Sequence, residues 1–111
     1  MTSGLTKEQL RDLREFFAAH QAEMLAFVRA LVETESPSGD VAGSRAVVDL
    51  ISERAGRIGV VDSLDRIIAP DFGEHLRIRA FAESNRDAQS IVMLGHTDTV
   101  HPRGSITARP R

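Results

Sequence analysis

The chain has 111 residues, of which 41% are hydrophobic and 27% are charged, and it contains no cysteine. This is the composition of an ordinary soluble globular domain, and it favours neither a disordered nor a fibrous chain. The formal net charge is −2 and basic residues are mixed among acidic ones, so charge does not favour nucleic-acid binding. The absence of cysteine excludes disulfides and thiolate zinc sites, so a metal would need His and carboxylate ligands.

The N-terminal stretch does not resemble a targeting segment. Charged residues are spread through residues 1–17, whereas a signal peptide needs an uninterrupted apolar core. A membrane-spanning helix needs ~18–20 predominantly apolar residues, and no stretch of the sequence approaches that. We therefore expect a cytoplasmic protein that does not bind membranes.

The first predicted element is a long helix. Thr6 and Gln9 have the spacing of a capping box, in which each side chain bonds a backbone N–H of the other residue. Apolar residues then recur every three or four positions from Leu10 to Val32, which is the period of a buried helical stripe. The pattern predicts one long helix, or two abutting ones, that ends at about Glu33.

A loop and a second helix follow. The stretch ETESPSGD, residues 33–40, contains a proline and a glycine that interrupt the helical period. Asp40 is a candidate N-cap, because its carboxylate can accept a hydrogen bond from the first turn. The second helix is predicted to run to about Arg57, with Gly56 as a stop signal.

Three short extended runs follow, at residues 59–64, 74–82 and 90–94. The second run alternates apolar and polar side chains, as a strand with one solvated face does. The third is apolar at every position from Ile91 to Leu94, which is typical of a strand covered on both faces. The polar stretch ESNRDAQ, residues 83–89, is predicted to be a hairpin connection. Helices followed by strands indicate an α/β fold with helices packed on a sheet.

The stretch GHTD, residues 95–98, stands where ligands bind in open α/β sheets, just past the carboxyl end of a strand. The neutral imidazole of His96 can bind a metal, and a carboxylate that holds its other ring N–H improves that donor. Asp98, two residues later, lies on the same side of an extended segment. His96 is therefore the candidate metal ligand and Asp98 its orienting partner. The alternative for an isolated His-x-Asp is a hydrogen-bonded turn without metal.

The other histidines and the earlier carboxylates are expected to carry no chemistry. His101 lies beside a proline in a predicted loop, His20 within the helical pattern, and His75 on the polar side of a strand. The carboxylates of the first helix and the loop are expected on the solvated surface: Glu8, Asp12, Glu15, Glu33, Glu35 and Asp40.

The stretch VMLGHTDTV, together with the upstream SPSGD loop, resembles the M20 family of zinc metallopeptidases, in its glutamate carboxypeptidase and acetylornithine deacetylase-like branch. The resemblance covers nearly the whole chain and implies that residues 1–111 are one incomplete catalytic domain with a mixed sheet. It further implies two Zn²⁺ ions that activate water to hydrolyse an amide bond in a small peptide or acyl-amino acid. His96 would be the first zinc ligand and Asp98 the catalytic-site carboxylate that orients it, while residues 36–39 match a loop that is structural.

Most of that family's active site has no match in these residues. The bridging aspartate, the Glu-Glu pair, the further acidic ligand and the distant histidine are all missing. Since a catalytic zinc takes three protein ligands and an open water position, we expect weak zinc binding and no appreciable catalysis from this chain. Two alternatives stay open: a non-enzymatic interaction module, and one part of a two-chain hydrolase. An incomplete sheet also predicts self-association through an exposed apolar edge.

Overall fold

The computed structural model describes residues 4–83 and 89–108. Three helices and a two-stranded antiparallel sheet are found there, so the predicted combination of helices and sheet is confirmed in its coarse form. The third helix, Ser105–Ala108, has four residues and was not predicted. The chain divides into two compact units, Met1–Val32 and Glu33–Arg111. Among the described residues, none of the helices has both the length and the apolar character that a membrane crossing requires.

Helix α1 spans Lys7–Thr34 and has the predicted start and end. The N–H of Thr6 donates to Gln9 Oε1 over 2.9 Å, and the N–H of Gln9 donates to Thr6 Oγ1 over 3.0 Å. The predicted capping box is therefore confirmed, and it satisfies two amides that a helix start leaves without partners. No residue of α1 is buried in the structure, so the burial predicted for its apolar stripe is not found there.

Helix α2 spans Val41–Gly56, and its predicted N-cap is confirmed. Asp40 has an extended backbone, and its Oδ1 accepts a hydrogen bond from the N–H of Gly43 over 2.8 Å. One face of the helix is buried at intervals of about three or four residues, as the helical period requires. The buried residues are Gly43, Ser44, Val47, Val48 and Ala55.

Strands β1 (Val61–Ala69) and β2 (Gly73–Ala80) form an antiparallel hairpin. They coincide with the first two predicted runs, but β1 continues five residues beyond the predicted end at residue 64. The chain reverses at Pro70 and Asp71, where the N–H of Phe72 donates to the carbonyl of Ala69 over 3.0 Å. Proline at the second position and a φ of 71° at Asp71 are the features of a type II turn.

Helix α2 packs on this hairpin. Val48 and Val47 are 1% and 3% exposed and form the centre of the small core. Arg66 on β1 ties the layers together, because its guanidinium donates to Asp49 of α2 and to Glu74 of β2. The core and these ion pairs hold the middle of α2 against the hairpin.

The predicted strand at residues 90–94 is wrong for this structure. Residues 89–98 form no strand, and the side chains from Ile91 to Leu94 are 77–94% exposed. Apolar character favours burial, but a strand exists only where a neighbouring chain pairs with its backbone. In the described part of the chain, β1 and β2 pair with each other and not with this run. Of the predicted hairpin connection, residues 84–88 lie outside the described residues.

Candidate functional site

The two motifs singled out in the sequence lie against each other. The N–H of Ser38 donates to the carbonyl of Thr99, and the N–H of Thr99 donates to the carbonyl of Ser36, each over 2.9 Å. These bonds form an isolated parallel bridge between Pro37 and Thr99. The hydroxyl of Ser36, which is 4% exposed, also donates to the carbonyl of Thr97. The loop before α2 therefore holds the segment that contains the candidate ligand.

His96 is oriented by Asp98. Its Nδ1 lies 2.9 Å from the backbone carbonyl oxygen of Asp98 and 3.1 Å from Oδ1 of the Asp98 carboxylate. Both of these atoms only accept hydrogen bonds while the carboxylate is ionised, so we assign the ring proton to Nδ1. The lone pair is then on Nε2, and the side chain is 81% exposed. This contact between His96 and Asp98 is the one that their spacing predicts.

Asp98 has a second partner, Ser38. The Ser38 hydroxyl donates to Oδ2 of Asp98 over 2.5 Å, which leaves Oδ1 for the histidine. This hydrogen bond, and after it the bond from His96, hold the pKa of the Asp98 carboxyl below its usual value. Asp98 is therefore an ionised acceptor at neutral pH, and an ionised partner makes Nε2 of His96 a better metal donor.

Arg103 and Gly104, which follow His96 in the chain, contact the loop before α2. The guanidinium of Arg103 donates to Oδ2 of Asp40 from Nε over 3.1 Å and from Nη2 over 2.7 Å. The N–H of Gly104 donates to Oε1 of Glu35 over 2.9 Å. Glu35 and Asp40, which were expected on the solvated surface, also hold the segment that follows His96 through these hydrogen bonds.

Acid should weaken this contact through Asp40. The N–H of Gly43, and after it the guanidinium of Arg103, hold the pKa of the Asp40 carboxyl below its usual value. A carboxyl with a lower pKa in the folded state stabilises the fold above its unfolded pKa, about 4, and this stabilisation is lost as the pH falls through the folded pKa. In Asp40→Asn, which keeps a capping oxygen, we expect a shallower loss of stability below about pH 4. Urea unfolding across that range measures the slope, and an unchanged slope would contradict the assignment.

At this site the described residues supply one side chain that could bind zinc, which is fewer than a complete zinc centre needs. Within residues 4–83 and 89–108, no group of three or more His, Cys, Asp and Glu side chains is placed to hold a metal. His75 and His101 are exposed, as expected. Within α1, Nδ1 of His20 lies 2.8 Å from the backbone carbonyl oxygen of Phe16, and the His20 ring stacks on the Phe16 ring. The site therefore presents one oriented nitrogen, and a catalytic zinc needs two further protein ligands.

Sequence reasoning missed two residues of this site. Ser38, in the loop that the resemblance treats as structural, contacts Asp98 across 60 positions of sequence, and Arg103 contacts Asp40 across 63 positions. No local pattern signals partners so far apart. Comparisons of the chain with protein-family models, with curated proteins and with solved structures gave no match.

Proposed function

We propose that the chain is the N-terminal part of the catalytic domain of a zinc metallohydrolase of the M20 type, whose parent activity is amide-bond hydrolysis in small peptides or acyl-amino acids. The observation that supports this most is the contact between the two motifs of the resemblance. Asp98 of the GHTD stretch bonds both His96 and Ser38 of the SPSGD loop. A fortuitous match of two short motifs gives no reason for them to meet in space.

The same proposal includes a mixed sheet with a strand at residues 91–94. In the complete domain, helices would pack on a mixed sheet, and residues 91–94 would be a central strand. The exposure of four successive apolar side chains there supports this, because such a run needs covering surfaces and a paired backbone. The covering surfaces and the remaining zinc ligands would come from polypeptide outside these residues. Until they are supplied, the exposed run favours self-association of the chain.

This chain would supply one zinc ligand and the residue that orients it. His96 would bind zinc through Nε2, and Asp98 would hold the ring in the orientation and tautomer that present that nitrogen. Bound zinc supplies a water of lowered pKa as nucleophile. With one ligand and its partner, the chain alone is expected to bind zinc weakly and to hydrolyse nothing at an appreciable rate.

A second candidate function is a non-enzymatic interaction module. It is favoured by α1, in which no residue is buried and large apolar side chains such as Leu10, Phe17 and Leu25 are more than half exposed. A third is a hydrolase completed by a second chain. The coding sequence beyond codon 111 separates them: a continuation with an acidic metal motif and a Glu-Glu pair supports a single-chain hydrolase.

Zinc titration followed at the histidine rings tests the hydrolase proposal. We expect the ¹⁵N resonances of His96 to respond at a lower zinc concentration than those of His75 and His101, which are exposed rings in the same molecule. Asp98→Asn is expected to weaken binding at His96 about 10-fold, the lower end of the range for loss of an orienting partner. A response at His96 no earlier than at His75 would contradict the proposal.

A hydrolysis assay with added Zn²⁺ addresses the expected inactivity separately. Acyl-amino acids and peptides with C-terminal glutamate are the substrates to use, because they are those of the resembled branch. We expect no turnover above the buffer rate from the 111-residue chain. Robust turnover that is lost in His96→Ala would overturn the expectation of inactivity while supporting the hydrolase assignment.

A further inference from the structure

We propose that Ser38 is a positioning residue for His96, because its hydroxyl fixes the Asp98 carboxylate in the orientation that presents Oδ1 to the imidazole. The effect of Ser38 on zinc binding rests on the proposed role of His96 as a zinc ligand. The effect of Ser38 on the orientation of Asp98 and His96 does not depend on that role. The proposal gives a chemical role to a loop that the sequence resemblance treats as structural.

The two oxygens of Asp98 have different partners. Oδ2 accepts from Ser38 over 2.5 Å, and Oδ1 lies 3.1 Å from Nδ1 of His96. The Asp98 side chain is 53% exposed, and an exposed carboxylate held by one bond exchanges that partner for water and samples other rotamers. A second bond at the other oxygen restricts this rotation and keeps Oδ1 near the ring.

The single proton of the Ser38 hydroxyl is directed to Asp98. A serine hydroxyl donates one hydrogen bond, and two acceptors lie near Ser38 Oγ: Oδ2 of Asp98 at 2.5 Å and the carbonyl oxygen of Thr99 at 3.2 Å. The ionised and closer acceptor forms the stronger bond. The hydroxyl therefore serves the carboxylate, and the neutral carbonyl takes its hydrogen bond from the N–H of Ser38 instead.

The backbone bridge between the two segments does not use the hydroxyl of Ser38. The backbone bridge uses the N–H of Ser38, the N–H of Thr99 and the carbonyl of Ser36. The hydroxyl that reinforces this bridge is that of Ser36, which bonds the carbonyl of Thr97. Ser38→Ala therefore removes a bond to the Asp98 side chain and leaves the bridge in place.

The test is the tautomer ratio of the neutral His96 ring, measured by ¹⁵N NMR on the full chain without metal at alkaline pH. In Ser38→Ala we expect the ratio of the Nδ1–H to the Nε2–H form to fall about 2- to 5-fold, the effect of weakening one hydrogen bond. Some preference for Nδ1–H should persist, since the Asp98 carbonyl at 2.9 Å still accepts from the ring. Ser38→Thr keeps a hydroxyl and is expected to restore the parent ratio.

Val48→Ala is the control for general destabilisation, because Val48 lies on the buried face of α2 and is 1% exposed. We expect it to lower stability and to leave the His96 ratio unchanged. The inference is overturned if the ratio in Ser38→Ala equals that of the parent chain, if Ser38→Thr does not restore it, or if Val48→Ala lowers it equally. Zinc binding at His96 with an unchanged ratio rejects this inference alone, whereas a changed ratio without zinc binding rejects the proposed function alone.

Discussion

Replacing Gly73 with alanine is expected to lower the free energy of unfolding by about 3 kcal/mol. Gly73 is buried at the start of β2 and has a φ of 107°, a region that side chains rarely adopt. A Cβ at this position would lie 2.2 Å from Oγ and 2.3 Å from Cβ of Ser44 on α2. Backbone strain and overpacking cost roughly 1–3 kcal/mol each, and the clash would push α2 away from the hairpin.

Gly39→Ala is the matched control, because Gly39 has a φ of 86° but no heavy atom within 4 Å of the position that a Cβ would take. It isolates the backbone cost, which we expect to be about 1 kcal/mol. Urea unfolding of both variants gives the comparison, and removal of the obstructing side chain in a Gly73→Ala, Ser44→Gly double variant should recover part of the loss. A Gly73→Ala variant no less stable than Gly39→Ala would show that the helix and the hairpin do not approach each other so closely.

The two long helices, α1 and α2, could be predicted from the sequence because their signals are local. The capping box joins Thr6 and Gln9, and the N-cap joins Asp40 and Gly43, so in each case the partners are three residues apart. Local partners meet whenever the helix forms, whatever the rest of the chain does. Both helices accordingly begin at the predicted residues.

The sheet was harder to predict because strand pairing is not local. The continuation of β1 to Ala69 depends on its partner β2, and the turn that joins them places the non-glycine residue Asp71 at positive φ. The run at residues 91–94 has the composition of a buried strand, yet composition does not specify a partner. A partner strand is a property of the assembled sheet, so an apolar run without one stays unpaired.

The same distinction holds at the site. His96 and Asp98 are two residues apart, and their contact follows from the geometry of an extended segment. Ser38 and Arg103 meet their partners only after residues 36–38 pair with residues 97–99. The orienting pair is therefore readable in the sequence, whereas the residues that hold the pair become visible only in the folded chain.

Gly43→Ala tests whether the position of the loop controls the site. Gly43 lies in the first turn of α2, and a Cβ there would be 2.8 Å from the carbonyl oxygen of Glu35 and 3.1 Å from Cα of Ser36. These are backbone atoms, so the loop itself would have to move. Nη2 of Arg103, at 3.0 Å, can move more easily because it ends a flexible side chain. Displacing Ser36 would loosen its bonds to residues 97–99 and, through them, the orientation of His96.

We expect Gly43→Ala to lower the free energy of unfolding by about 1–2 kcal/mol, because overpacking outweighs the gain of up to about 1 kcal/mol from placing alanine in a helix. Gly56→Ala, at the other end of α2, is the matched control: the nearest heavy atom to its Cβ is Leu64 Cδ1 at an ordinary 3.7 Å. This control should be neutral or stabilised, and its His96 tautomer ratio should be unchanged. If both variants gained stability equally and kept the parent ratio, the close approach of the loop to α2 would have no part in orienting His96. A lower ratio of the Nδ1–H to the Nε2–H form of His96 in Gly43→Ala alone would show that the packing of a loop about sixty residues away controls the orientation of that histidine.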